Sequence, residues 1–183
     1  MKRVIAFLGC FIAVVFFVKA LPVLMLFLPP SKGEMLETWE TTNTPFKIRV
    51  DRHAEKNGGF VPGAYYVFQS AASGSDTWRE VMTFRHDDPV DIPREQVRFA
   101  NDQIAYVSMS WMYAVTTDGG NTWRVSKMWD FLPDGEKCLY SCIEDLRIDA
   151  SGTGEVKLNI IGSPKDKLKI LGTDDFGKTW REK

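Results

Sequence analysis

A few acidic, histidine and cysteine side chains in polar segments are the residues that could do chemistry in this 183-residue chain. His86, Asp87 and Asp88, with Asp91 nearby, could bind a hard cation such as calcium through their carboxylates. A solvated loop accounts for the same residues, and we favour that interpretation. The sequence shows no Ser-His-Asp or Cys-His arrangement, no phosphate-binding glycine loop and no zinc-ligand spacing. We therefore predict no catalytic residues, no metal site and no cofactor.

Two cysteines, Cys138 and Cys142, lie four positions apart. In an oxidising compartment, two cysteines of one exported domain usually pair. In an extended strand they would be about 13 Å apart, which is beyond the reach of a disulfide. We expect a loop or a helical turn to bring them together in a small disulfide.

The segment from residue 129 to 142 is unusually apolar for a loop. It contains Trp129, Phe131, Leu132 and Tyr140. These side chains could form an interface patch or pack beneath a sheet, and both alternatives remain open. Because loops on a rigid sheet scaffold commonly carry recognition, we expect this segment and the charged 85–94 segment to form the contact surfaces.

Two octets of one pattern organise the chain. Residues 116–123 and 173–180 both read Thr-x-Asp-x-Gly-x-Thr-Trp, and strand-like runs flank each octet, as in a β-hairpin. The aspartate can accept N–H groups of its own turn, the glycine can take a positive φ, and the tryptophan can cover apolar surface. We assign these residues a structural role and not a ligand role. They are Thr116, Asp118, Gly120, Thr122, Trp123, Thr173, Asp175, Gly177, Thr179 and Trp180.

Both octets resemble the Asp-box, or BNR repeat, of sialidases and of other β-propeller and β-sandwich proteins. In sialidases these boxes lie on blade edges, away from the catalytic centre. The resemblance therefore implies a blade-type hairpin and not an activity. A degenerate copy keeps Gly74, Thr77 and Trp78 but lacks the aspartate. The early Phe-Arg-Ile-Pro stretch of sialidases has only a scrambled counterpart at residues 91–94, and we expect no sialidase activity.

The spacing of the octets predicts the fold class. The Thr-Trp pairs end at residues 78, 123 and 180, so successive pairs are 45 and 57 residues apart. A four-stranded propeller blade takes roughly 40–50 residues. We predict an all-β domain over residues 46–183, built of antiparallel four-stranded meanders in three blade-like units. Since propellers usually have four to eight blades, the units would form an open array, fold into a sandwich or close through a partner.

The N-terminus predicts a membrane anchor. Residues 4–28 are apolar except for Lys19, and Lys2 and Arg3 precede them. This run can cross a bilayer as one transmembrane helix, and the positive start favours a cytoplasmic N-terminus with the remainder exported. We predict an anchor over residues 1–30 and a linker over residues 31–45, in a single-pass protein of the bacterial inner membrane. A signal peptide cleaved near residue 20, which would release a secreted protein, is the alternative.

Composition and a second resemblance bound the function. The net charge of −1 and the absence of a basic patch in the sequence argue against a nucleic-acid partner. We expect an anchored domain, facing the periplasm or the cell exterior, that binds a protein. Residues 105–107 and 111–120 resemble small membrane-tethered immunity proteins, which neutralise lipase effectors delivered by bacterial type VI secretion. A glycan-processing enzyme fragment and a membrane-complex assembly factor are the alternatives.

Overall fold

The structure, a computed structural model, describes residues 29–56, 63–88, 90–162 and 167–183, without the side chains of residues 139, 140, 162 and 167. The described residues form three four-stranded antiparallel sheets, each with its strands in chain order. The prediction of an all-β fold of antiparallel four-stranded sheets is confirmed. The strands are β1 (Ser31–Glu40), β2 (Lys47–Lys56), β3 (Ala64–Ala71) and β4 (Arg79–His86), then β5 (Val97–Phe99), β6 (Ala105–Met109), β7 (Met112–Thr116) and β8 (Arg124–Lys127), then β9 (Glu136–Ile148), β10 (Gly154–Gly162), β11 (Lys167–Thr173) and β12 (Arg181–Glu182).

The expected linker over residues 31–45 is corrected by the first of these strands. β1 pairs with β2 from Ser31 opposite Lys56 to Glu40 opposite Arg49. Two register shifts interrupt this pairing, and a shift destroys the period-two alternation that marks a strand in sequence. β1 is also an edge strand with mostly polar, exposed residues. The sequence pattern therefore does not indicate β1, the strand that completes the first sheet.

The predicted anchor over residues 4–28 lies outside the described residues and stays a prediction. Within the part of the chain that the structure describes, no helix is long and apolar enough to cross a membrane.

The three sheets stack face to face, with the second sheet in the middle. On β6, Ala105 and Val107 belong to the core shared with the first sheet, whereas Tyr106 belongs to the core shared with the third. On β7, Ala114 and Tyr113 divide in the same way. Side chains alternate between the two faces of a strand, so a middle sheet that is apolar on both faces can bury both.

The stack has two distinct ends. One end, called here the octet end, carries residues 116–123 between β7 and β8 and residues 173–180 between β11 and β12. The other, called the loop end, carries the long β4–β5 and β8–β9 connections. Short 3-10 helices lie in these connections, at Arg94–Gln96 and Met128–Phe131. Each end gathers segments from all three sheets, so residues far apart in sequence meet there.

Candidate functional site at the loop end

The first octet is closed by hydrogen bonds to its own aspartate. Asp118 Oδ1 accepts bonds from the Thr116 hydroxyl and the Thr122 N–H, each at 2.9 Å. Asp118 Oδ2 accepts the Thr122 hydroxyl at 2.6 Å. The Gly120 N–H donates to the Thr116 hydroxyl oxygen at 3.1 Å, and Gly120 has a φ of +81°. Both carboxylate oxygens therefore have partners within the turn.

The second octet repeats this geometry. Asp175 Oδ1 accepts the Thr173 hydroxyl at 2.8 Å and the Lys178 and Thr179 N–H groups at 2.9 Å, and its Oδ2 accepts the Thr179 hydroxyl at 2.7 Å. Burial opposes ionisation of this carboxyl group, but these hydrogen bonds outweigh burial and lower the pKa of Asp175 to about 2. The pKa of Asp118 is lowered by the same balance. Both groups act as charged acceptors that hold a turn.

Each octet also joins its sheet to the preceding sheet through hydrogen bonds and packing. The Ser70 hydroxyl on β3 donates to the Gly120 carbonyl at 3.3 Å. The Tyr113 hydroxyl on β7 donates to the Gly177 carbonyl at 2.5 Å and accepts the Trp180 indole N–H at 2.9 Å. Trp123 packs against the core of the first and second sheets, whereas Trp180 lies in the core of the second and third.

The degenerate copy behaves differently. Residues 72–78 connect β3 to β4, the position that the octets take in the other two sheets. Trp78 lies beneath the guanidinium of Arg49, 3.9 Å from the ring centroid. Among the described residues no sheet precedes the first one, so this turn has no such neighbouring sheet to contact there.

A cavity of about 260 Å³ opens at the loop end between all three sheets. Its walls are mostly aromatic. Trp111 packs edge-on against Phe84, with ring centroids 4.8 Å apart, and stacks on Trp129 at 5.3 Å. Trp129 remains 41% exposed. The remaining lining residues are Arg85, His86, Asp87 and Cys138. The cavity therefore brings together the two connections expected to carry contacts.

The four apolar residues of the 129–142 segment do not all lie in the same environment. Trp129 lies at the cavity, whereas Phe131 and Leu132 are partly buried and pack against the core of the second and third sheets. The side chain of Tyr140 lies outside what the structure describes. Phe131 and Leu132 therefore pack beneath the surface, whereas the interface role of Trp129 stays a prediction.

Cys138 and Cys142 form a disulfide within β9, with their Cα atoms 5.0 Å apart. The approach is possible because β9 bulges between these residues. Ile160 on β10 pairs with Cys138 and Leu158 pairs with Ile143, so the four residues between them on β9 oppose only Asn159 on β10. The expected loop is therefore a bulge inside a long strand. Since Cys138 lines the cavity, the bulge contributes to its wall.

Ion pairs near the cavity involve two acidic residues of the 85–94 segment, Asp87 and Asp91. Arg85 bonds to Asp87 and to Glu55, the latter at 2.5 Å. The hydrogen bond from Arg85 lowers the pKa of Glu55, and the Gly63 N–H supports it against the opposing effect of burial. Asp91 lies 3.6 Å from Arg52. Among the described residues, no group of three or more histidine, cysteine or acidic side chains is placed to hold a metal ion.

His86 is poorly arranged for general-base chemistry. It is 8% exposed, and its Nδ1 accepts the Asp88 N–H at 3.1 Å. A neutral imidazole whose Nδ1 accepts carries its proton on Nε2. In this arrangement Nε2 is a donor, and His86 also lines a groove of about 150 Å³ with Ser110 and Ser141.

Sequence analysis missed Phe84, His86 and Trp111 as cavity residues. The sequence places Phe84 and Trp111 in strand-like runs and predicts a solvated loop at His86. Trp111 in fact lies with Ser110 in the two-residue turn between β6 and β7, and Ser110 has a φ of +56°. A large aromatic residue in so short a turn was the signal available, since Asn and Gly usually occupy such positions.

Comparison with protein-family models, with curated proteins and with solved structures found no match to this chain.

Proposed function

We propose that this chain is a membrane-anchored domain, facing the periplasm or the cell exterior, that binds a protein partner at the loop end. The observation that carries the proposal is the aromatic cavity with the half-exposed Trp129 at its mouth. Tryptophan is enriched among the residues that dominate binding energy at protein interfaces. Trp111 stacks on Trp129, and Phe84 packs against Trp111. The Trp129 ring is therefore held in place and loses little conformational freedom on binding.

The size of the cavity favours a side chain of a protein over a small-molecule substrate. Its volume of about 260 Å³ is below the roughly 300–1,000 Å³ that is usual for small-molecule pockets. A single apolar side chain of a partner fits such a space. Arg85 and Lys127 lie nearby, and the Lys127 ammonium is 5.4 Å from the Trp129 ring centroid. These groups supply a polar rim around an apolar anchor point.

The enzyme alternative has less support. The octet carboxylates are saturated within their turns, and the hydrogen bond to His86 Nδ1 opposes a role as a base. An assembly factor would use the same kind of contact surface, and identification of the partner distinguishes it.

We further propose that the three sheets are propeller-blade-like units in an open array, with the octets as Asp-boxes. Support comes from the position of each octet between the third and fourth strands of its sheet and from the face-to-face stacking of the sheets. The resemblance to immunity proteins suggests a lipase effector as the partner. Residues 111–120, which carry that resemblance, include cavity residue Trp111.

The test is capture of a partner from detergent-solubilised membranes with the full chain as bait. Trp129→Ala should abolish capture of a stoichiometric partner, because it removes the exposed wall of the cavity. Val125→Ala is the matched control, since Val125 is 40% exposed but pairs with Ala114 in the middle of the second sheet and is not among the residues that line the cavity. Phe131→Ala is a poor probe because Phe131 packs against the core.

The identity of the captured protein decides between the finer proposals. A lipase would support the immunity function, and a subunit of a membrane complex would support assembly. Equal capture by Trp129→Ala and the unaltered chain would refute the loop-end site.

A further inference from the structure

We propose that the loop end faces the membrane and touches the lipid surface through its exposed apolar side chains. The proposal rests on the anchored topology proposed above. It adds which end of the domain meets the bilayer, and therefore where a partner must approach.

The first argument is where the chain joins the domain. β1 begins at Ser31, which pairs with Lys56 at the end of β2. Ala64, the first residue of β3, pairs with His86 beside the cavity, so the chain enters β1 at the loop end. Only Pro29 and Pro30 separate residue 28 from Ser31. Three residue steps span at most about 10 Å, so an anchor that ends at residue 28 holds the loop end close to the head groups.

The second argument is the distribution of exposed apolar side chains. Six large hydrophobic residues are exposed among the described residues. Four of them lie at the loop end or on the half of a strand that leads to it, namely Met35 (58% exposed), Val90 (44%), Trp129 (41%) and Leu168 (52%). Leu36 lies in the middle of β1 and Val125 lies on β8. Exposed apolar groups gathered at one end of a domain indicate a surface that meets another apolar phase.

The chemistry of these side chains suits the lipid interface. Tryptophan has an apolar body and a polar N–H, and it is enriched at the level of the lipid head groups. The charges nearby are mixed, because Lys127 and Arg85 alternate with Asp87 and Asp130. Attraction to anionic lipid is therefore not the main force. The tether instead supplies a high local concentration of the surface, so a weak apolar contact is sufficient.

The octet end provides the internal contrast. Its exposed positions are polar, such as Asn121, Asp174 and Lys178, and the carboxylates of Asp118 and Asp175 are hydrogen-bonded within the turns. If the loop end faces lipid, a protein reaches the cavity along the membrane surface. The partner class that fits is then a protein that is itself at the membrane.

The experiment places a fluorescent label at each end of the full chain in vesicles of phosphatidylethanolamine and phosphatidylglycerol. In a Cys10→Ser background, bimane is attached to Leu168→Cys or Asp134→Cys at the loop end, or to Asp174→Cys at the octet end. Leu168 lies on β11 and Asp174 directly follows that strand, and both are exposed, so they are matched. Lipid with a nitroxide in the head-group region is then added to quench nearby labels.

We expect loss of fluorescence at positions 168 and 134 and little loss at 174. Equal quenching at both ends, quenching at 174 alone, or quenching at neither end would overturn the proposal. Vesicle flotation of the same samples reports whether the chain is anchored at all. A chain that floats without loop-end quenching refutes the orientation alone, whereas a chain that does not float refutes the anchor as well. Partner capture is measured separately, so its failure leaves a quenching result intact.

Discussion

The two ends of the sheet stack use their side chains in opposite ways. At the octet end, Asp118 and Asp175 accept hydrogen bonds inside their own turns. The carbonyl groups of the turns accept hydrogen bonds from the neighbouring sheet. At the loop end, Trp129 stands 41% exposed over a cavity lined by Trp111 and Phe84. The repeated octets, with their acidic and hydroxyl groups, thus join neighbouring sheets. The irregular aromatic segment at the loop end provides the exposed surface.

This contrast teaches that a recurring chemical pattern is not evidence of a binding site. A carboxylate with every oxygen satisfied inside a turn has little capacity left for a ligand. An aromatic side chain that stays exposed, despite the cost of hydrating its apolar surface, is stronger evidence of a binding site. If the comparison is right, damage to the octet end should lower stability and spare partner capture per folded molecule.

The largest effect is expected from Gly120→Ala. Gly120 has a φ of +81°, and an added Cβ would lie 2.6 Å from the Phe46 ring and 2.7 Å from Ser70 Oγ. Left-handed strain and overpacking together should lower the free energy of unfolding by about 3 kcal/mol. Denaturant unfolding of the full chain in mild detergent measures this loss.

Gly74→Ala is the matched control for that variant. Gly74 has a φ of +74°, but nothing lies within 4 Å of an added Cβ. Strain alone should cost about 1 kcal/mol. Equal losses of unfolding free energy in the two variants would show that the octet does not pack closely against the preceding sheet. The role of the octet in joining the two sheets would then be wrong.

The octets were predictable because their signals are local. Asp175 bonds residues at most four positions away, so one short window of sequence contains the whole turn. β1 was not predictable, since its register shifts at Met35 remove the alternation on which strand prediction depends.

The cavity could not be predicted from sequence for a different reason. His86 ends β4, whereas Trp111 and Trp129 lie in two separate connections, and the three residues meet only when the sheets stack. Nothing near Trp129 in the sequence shows that Trp111 will lie beneath it. The bulge that carries Cys138 also depends on pairing with β10, which follows later in the chain.

A second, smaller effect is expected from Asp175→Asn. The pKa of Asp175 is about 2 in the folded protein, below the usual value of about 3.9 for aspartate in an unfolded chain. A carboxyl group with a lowered pKa stabilises the fold above the unfolded value, and this stabilisation is lost as the pH falls toward the folded value. The substitution should cost about 2 kcal/mol at neutral pH through lost charge-assisted hydrogen bonds.

The pH dependence identifies the cause. The difference in unfolding free energy between the unaltered chain and Asp175→Asn should shrink between about pH 4 and pH 2. Exposed Asp174→Asn is the neighbouring control and should show little difference at either pH. A difference that stays constant on acidification would mean that the charge of Asp175 has no part in holding the turn.

The smallest effect separates the two octets from each other. The Trp180 indole N–H donates to the Tyr113 hydroxyl at 2.9 Å, whereas the Trp123 indole nitrogen is buried and has no hydrogen-bond partner among the described residues. Trp180→Phe removes a hydrogen bond worth about 1 kcal/mol, but Trp123→Phe removes a buried donor that is already unsatisfied. Loss of ring volume is common to both variants, so Trp180→Phe should cost about 1 kcal/mol more. Equal costs in denaturant unfolding would mean that the tie between Trp180 and Tyr113 contributes nothing, and that the second octet holds its sheet by packing alone.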